Sequence, residues 1–424
     1  MYNDLLIPEE RIRKIRAERN DVRNVFYKQA LPLIGKDTLT EIVRCYELFD
    51  ERIYLRFAEL WDPESGGFYY SPSARDNDGF LPDIETTRQV LSFCISKRLI
   101  PEGKRLSDMM APEVCDAIIR FTKSMQDPAD GYFYHPQWGK NIIAERKSRD
   151  FGCAIGILRY FGEEPCYPTF SGSGESNTGL LPSHLSSIKE FKKFLTGLKI
   201  NENSYFVGNR LDSECSEIKR AGREYVDILL SWLEEHQNYE NGLWEKEITH
   251  NSMAGAMKML YVYTALNKSY PNIKMASESA MRIVMSDEAV KCVSYINSPL
   301  RFIESVCSDK EHFSLSERNS IRDMIRDSGR EFVSRNVKNL LVHRKRDGSY
   351  SYWWNSSAAV SQGAKVAIPD TDEGDVNATA MMCGVPLEIC SILGIPRQPL
   401  FTPSDGELFF ELLEQKYKQR KKSR

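Results

Sequence analysis

Histidine is scarce, six in 424 residues, and none stands beside a cysteine. The ten cysteines (Cys45, Cys94, Cys115, Cys153, Cys166, Cys215, Cys292, Cys307, Cys383 and Cys390) are scattered singly, without one C-x-x-C pair. These gaps argue against zinc-ligand spacing and a disulfide framework. The cysteines read instead as small buried hydrophobes, and no metal or cofactor is expected. No apolar run is long enough to suggest a membrane span. The opening Met1–Arg11 lacks the apolar core of a signal peptide, so the expected location is cytoplasmic. A dominant charge sign is missing too: 57 Lys and Arg oppose 60 Asp and Glu, a net −3. That gives no global attraction to nucleic acid. The dense basic run Lys416–Arg424 reads as a solvated tail. Phosphate-loop, dinucleotide-fold and nucleophile-elbow signatures are absent, which argues against nucleotide hydrolysis, dinucleotide redox and serine-esterase chemistry.

What the sequence does contain is a recurring turn. Four copies are plain: Asp62–Tyr70, Asp127–Tyr134, Tyr239–Trp244 and Arg346–Trp354, each joining Asp or Asn and Gly to aromatics. Two weaker copies are Asn203–Asn209 and Tyr295–Pro299. Glycine permits positive φ, and the neighbouring aromatic packs the turn down. Apolar spacing of three and four predicts helices before the turns, near 38–60, 112–126, 183–199, 222–237, 276–293 and 316–342. Others follow near 84–97, 150–162, 211–221, 251–266, 299–309 and 376–393. The following set is more apolar, as an inner ring requires; the preceding set carries charged stripes suited to an outer ring.

This alternation resembles the six-hairpin α/α toroid superfamily of glycoside hydrolases, polysaccharide lyases, terpenoid cyclases and protein prenyltransferases. The resemblance implies an all-α (α/α)6 toroid over residues 38–395. A helical extension would occupy 1–37, and a C-terminal extension with the basic tail 396–424. Pro165–Pro182, rich in Gly, Ser and Pro, reads as a long surface loop.

Acids gather where the inner helices would start: Asp83 and Glu85, Asp150, then Asp370, Asp372, Glu373 and Asp375. Each can also serve as a helix cap. Glycosidic hydrolysis needs two carboxyl groups flanking the scissile bond. The expected catalytic set is Asp83, Glu85, Glu373 and Asp375, meeting where the first hairpin closes on the last. Aromatics that stack on sugar rings occupy the same loops: Tyr70, Tyr134, Trp138, Trp244, Trp353 and Trp354. His135, Gln137, Arg149, Asp150, Asp372 and Asn377 add polar contacts. Arg146 is one of several basic residues suited to clamp an anion. His250 and Asn251 would act as base and carboxylate neutraliser in a lyase. Asp370–Glu373 and Asp375–Ala380 are similar to the D-x-D-D-T-A run of protonating terpenoid cyclases without matching it in full, and a non-catalytic binding role uses the same residues. The expected partner is a small molecule, an oligosaccharide, with no nucleic acid and no membrane; composition leaves the oligomeric state open.

Overall fold

The computed structural model describes residues 7–169 and 181–422. It is mostly helical, 62%, with sixteen helices of seven residues or more and one short hairpin among the described residues. Most of the Pro165–Pro182 loop lies outside the described residues.

In chain order the helices are α1 (Glu9–Glu47), α2 (Arg52–Leu60), α3 (Ile84–Ser96), α4 (Pro112–Ser124), α5 (Ala144–Phe161), α6 (Ile188–Gly197), α7 (Ser204–Ala221) and α8 (Arg223–His236). After these come α9 (His250–Ala265), α10 (Ile273–Val284), α11 (Val293–Ser308), α12 (Leu315–Arg326), α13 (Gly329–His343), α14 (Val376–Met382), α15 (Val385–Leu393) and α16 (Pro403–Lys422). Strands β1 (Val360–Ser361) and β2 (Ala364–Lys365) pair antiparallel.

Burial separates the helices into two kinds. Eleven of the sixteen residues of α9 are buried, whereas α12 buries only Ile321 and Ile325. A helix apolar on every side needs neighbours on every side; one with a single stripe needs one. Accordingly α9 packs on α7 and α11, α11 on α15, and α3 on both α5 and α14. Gly255 lets α7 and α9 close together, since a Cβ there would stand 1.9 Å from the Ser204 hydroxyl.

The four plain turns share one geometry. Gly66, Gly131, Gly242 and Gly348 have φ of 94, 70, 73 and 86°. Phe68, Phe133, Leu243 and Tyr350, close behind them, are fully buried. Trp61 Nε1, Gln126 Nε2 and Gln237 Nε2 each donate to the carbonyl of the glycine five residues on, at 3.2, 3.2 and 2.9 Å. Each turn also docks on another element. A Cβ on Gly66 would sit 2.3 Å from the Ala117 carbonyl of α4, and one on Gly242 2.4 Å from Ala276 N of α10. The last turn closes on the first pair: a Cβ on Gly348 would meet Arg52 of α2 at 2.8 Å.

The two weaker turns are not turns. Asn203 caps α7, its side chain accepting from Phe206 N at 3.0 Å, so 204–209 is helical. Tyr295–Pro299 lies inside α11. Helices α5, α7 and α11 therefore begin six or seven residues earlier than expected, because the openings of α7 and α11 have the composition of turns and that of α5 is charged. The 316–342 stretch is two helices, α12 and α13.

The ends of the chain are built in. α1 runs past Pro32 and turns at Gly35, where φ is 74°. Buried Arg19 pairs with Glu51 at 2.6 Å and Asp405 at 3.1 Å, joining α1 to α16. The basic run is helical as far as Lys422 and is not simply solvated. Lys416 donates to the carbonyls of Ala58, Glu59 and Trp61 at 3.0, 3.0 and 2.6 Å, satisfying the C-terminus of α2. Val376–Leu393 has the length and hydropathy of a membrane span, but it is 67% buried and interrupted between α14 and α15, where Pro386 cannot donate to the preceding turn.

Gly66→Ala and Gly242→Ala are expected to lower the unfolding free energy by about 2–4 kcal/mol, combining positive φ with a backbone clash. Gly103→Ala, at φ 80° with nothing within 4 Å, should cost only about 1 kcal/mol. Urea unfolding of the three variants checks this; equal losses would refute the docking role.

Candidate functional site

Asp83 and Asp375 begin α3 and α14 in the same way. Asp83 Oδ1 accepts from Thr86 N at 2.9 Å, and Asp375 Oδ1 from Ala378 N at 2.7 Å. One turn on, Thr87 and Thr379 donate back to the two Asp carbonyls at 2.8 and 2.6 Å. Each threonine hydroxyl also receives a turn amide, Phe68 N or Tyr350 N, both at 3.0 Å. Asp-x-x-x-Thr is thus the joint between a glycine turn and the apolar helix that follows it, and capping accounts for one oxygen of each acid.

Beyond the cap the two surroundings differ. Asp83 Oδ2 accepts from Thr86 Oγ1 at 2.6 Å, and the cation beside this acid shares the capping oxygen. Around Asp83 the guanidinium of Arg146, from the first turn of α5, gathers three carboxylates: Asp83 at 3.2 Å, Glu85 at 2.8 Å and Asp150 at 2.9 Å. All four side chains are buried. Arg146 also lies over the Trp138 ring, 4.8 Å from its centre, and Trp138 stacks on His135 at 3.8 Å. His135 Nε2 donates to the Pro82 carbonyl at 2.8 Å, and its Nδ1 accepts from Gln137 N at 3.2 Å. That bonding fixes a neutral tautomer, consistent with burial lowering its pKa. Arg149, 44% exposed, holds the other oxygen of Glu85 at 2.7 Å. Burial, opposed by Arg146, raises Asp150 to about 6.

Asp375 has no such cation. Its Oδ2 accepts from Tyr352 N at 2.9 Å, and the Tyr70 hydroxyl approaches it without a well-formed bond. Burial pushes this carboxyl up to about 7. Tyr70 lies within electrostatic reach of Asp375 and Glu85 together. Gln89 of α3 donates to Asn377 of α14 at 3.0 Å across the same seam.

The β1–β2 hairpin covers this cluster. Ala358, Ala364, Val366 and Ala367 pack with Tyr70, Trp138 and Tyr352. The Ser361 hydroxyl reaches Glu85 at 3.2 Å, and Gln137 bridges Leu81 N at 3.1 Å and the Lys365 carbonyl at 2.8 Å. Glu373 ties the covering loop down, accepting from Ser73 N at 2.8 Å, Ser73 Oγ at 2.6 Å and Ser357 Oγ at 3.0 Å.

No family model, curated protein or solved structure matches this chain. The residues alone must carry the functional argument.

The structure therefore brings together Tyr70, Asp83, Glu85, His135, Trp138, Arg149, Asp150 and Asp375, with Gln137, Glu373 and Asn377 at the edge. Others lie apart. Trp244 is buried beneath its own turn, its Nε1 donating to the Leu233 carbonyl at 2.9 Å. Tyr134 bonds Asp130 at 2.6 Å, and exposed Asp372 pairs with Lys345. Exposed Trp353 and Trp354 follow the last turn, where Trp354 N donates to the Lys291 carbonyl at 3.0 Å. His250 and Asn251 open α9; His250 is buried and stacked on Tyr295 at 4.6 Å, with neither ring nitrogen in a well-formed hydrogen bond. Sequence reasoning undervalued Arg146. Its i,i+4 relation to Asp150 was the available signal, once α5 is begun at 144 instead of 150.

Arg146→Met is expected to cost about 3–5 kcal/mol, because it strands buried carboxylates. Arg149→Met should cost about 1 kcal/mol or less, since that side chain is half exposed. Comparative denaturant unfolding decides. Asp375 keeps its proton in the folded protein up to about 7, while the unfolded chain releases it near 3.8. Its contribution to stability is therefore greatest below the unfolded value, declines as pH rises between the two, and levels off above about 7. Asp375→Asn should flatten that decline; an unaltered pH–stability slope would contradict it.

Proposed function

We propose that the chain closes as a six-hairpin α/α toroid and acts as a carbohydrate-active enzyme, cleaving a glycosidic bond of an oligosaccharide where the inner helices begin. Alternating outer and inner helices support the ring, as does the last glycine turn resting on α2.

The observation that carries the chemistry is the contrast between two carboxyl groups on adjacent helices. Asp375, without a cation and raised to about 7, retains a proton to give. Glu85, by contrast, lies between two guanidinium groups, those of Arg146 and Arg149. An acid and a carboxylate separated in this way form the pair that glycoside cleavage uses. In this reading Asp375 protonates the leaving oxygen, Glu85 acts as base or nucleophile, and Tyr70 hydrogen-bonds between them. Access requires the β1–β2 hairpin to lift. No cofactor enters the scheme.

Polar links between the inner helices favour a hydroxylated ligand over an isoprenoid. Arg88 donates to Tyr160 between α3 and α5, Lys258 pairs with Asp212 at 3.5 Å between α9 and α7, and Arg301 with Glu388 at 3.4 Å between α11 and α15. A lyase is the second reading, supported by the neutral, unbonded His250 imidazole against Tyr295.

Asp375→Asn and Glu85→Gln should each lower turnover at least about 100-fold, measured by reducing-end release from an oligosaccharide panel, with circular dichroism confirming folding. Tyr70→Phe, a milder change, should reduce turnover about tenfold. Wild-type turnover in both carboxyl variants defeats the assignment. Ultraviolet absorbance from an unsaturated product, lost in His250→Ala, would replace hydrolysis by elimination.

A further inference from the structure

A second polar cluster lies at the opposite end of the inner helices. Asp83 caps the start of α3 and Lys97 follows its end, thirteen residues of helix later, about 20 Å along the axis. There Lys97 lies within electrostatic reach of Arg301 of α11, Glu388 of α15 and Arg397 just beyond it, and Glu388 in turn within reach of Glu304 of α11.

Three cations face two carboxylates, and the pairing is incomplete. Glu304 Oε1 is well supplied: Ser308 and Ser391 donate to it at 2.9 and 3.2 Å, and Arg397 pairs with it. Arg301 reaches Glu388 Oε1 at 3.4 Å and Glu304 at 3.8 Å. Glu388 Oε2 is buried without a hydrogen-bond partner. Lys97 is only 8% exposed, yet makes no hydrogen bond and no ion pair within 4 Å among the described residues. A buried ammonium and a buried carboxylate oxygen, both unmatched beside two guanidinium groups, ask for a ligand with particular chemistry. It must accept several charge-assisted hydrogen bonds and also donate one.

Hydrogen phosphate has that chemistry. Its bare oxygens accept from Lys97, Arg301 and Arg397, and its one hydroxyl donates to Glu388 Oε2. Sulfate offers the same oxygens without the proton. A phosphomonoester above its second pKa, near 6, also lacks it. We propose that Lys97, Arg301 and Arg397, with Glu388 as hydrogen acceptor, form a binding site for inorganic hydrogen phosphate, distinct from the carboxylate cluster at the other end.

The test is calorimetric titration of the full chain at about pH 8.5, where Glu388, raised to about 7 by burial, is ionised. Phosphate should bind at least about tenfold more tightly than sulfate or glycerol phosphate, the difference of one hydrogen bond to a charged group. Lys97→Met should weaken phosphate binding at least about tenfold. Arg397→Gln, at a half-exposed position, should do likewise and supplies the test if Lys97→Met does not fold. Neither variant touches the proposed glycosidic site, so failure here leaves that reading standing. No phosphate heat in the wild type, equal binding of sulfate, or undiminished phosphate binding in a folded variant overturns the site.

Discussion

Each glycine turn is held by a close approach to another element that a methyl group would disturb. Gly66 lies against the α4 backbone, Gly242 against α10 and Gly348 against α2. Positive φ lets the chain reverse between an amphipathic helix and an apolar one, and the docking sets where one helical pair meets the next. Behind each glycine a fully buried aromatic or leucine anchors the reversal. Much else follows. With the turn fixed, Phe68 and Tyr350 present their amides to Thr87 and Thr379, and Asp83 and Asp375 begin their helices at set heights.

Two acids with the same structural duty then acquire different chemistry from their surroundings. Arg146 stands beside Asp83 and shares itself with Glu85 and Asp150, a guanidinium serving three carboxylates in a buried setting. Asp375 receives only backbone amides and the approach of Tyr70, which oppose burial without a cation's help, so burial prevails. Charge compensation on one side of the α3–α14 seam and its lack on the other form the asymmetry that an acid–base pair needs. The far ends of the same helices show the reverse imbalance, cations exceeding carboxylates around Lys97.

Where the sequence misled, the cause was local. Trp244 belongs to a turn with the right composition, but its indole turns inward to the Leu233 carbonyl. Asn203–Asn209 and Tyr295–Pro299 contain aromatics and turn-forming residues, yet lie in α7 and α11. The first turn of α5 is charged, and periodicity read from apolar residues alone starts that helix late. The same delay concealed Arg146, which sits four residues before Asp150 in a segment read as loop. The basic C-terminal run looked solvated by composition, whereas Lys416 is drawn to the free carbonyls at the end of α2.

By itself the sequence determined the helical class, the alternation of amphipathic and apolar helices, the four glycine turns, and the gathering of acids at helix starts. These rest on short-range rules: helical periodicity, positive φ at glycine, and capping by Asp. Tertiary structure alone decided which acids meet a cation and which do not, that a two-stranded hairpin covers them, and that Lys97 and one oxygen of Glu388 are left unmatched at the other end. Those outcomes depend on burial and on contacts between residues as far apart as Glu85 and Ser361 or Arg301 and Glu388. The energy of a charge is set by the medium and partners around it, and no spacing along the chain records either.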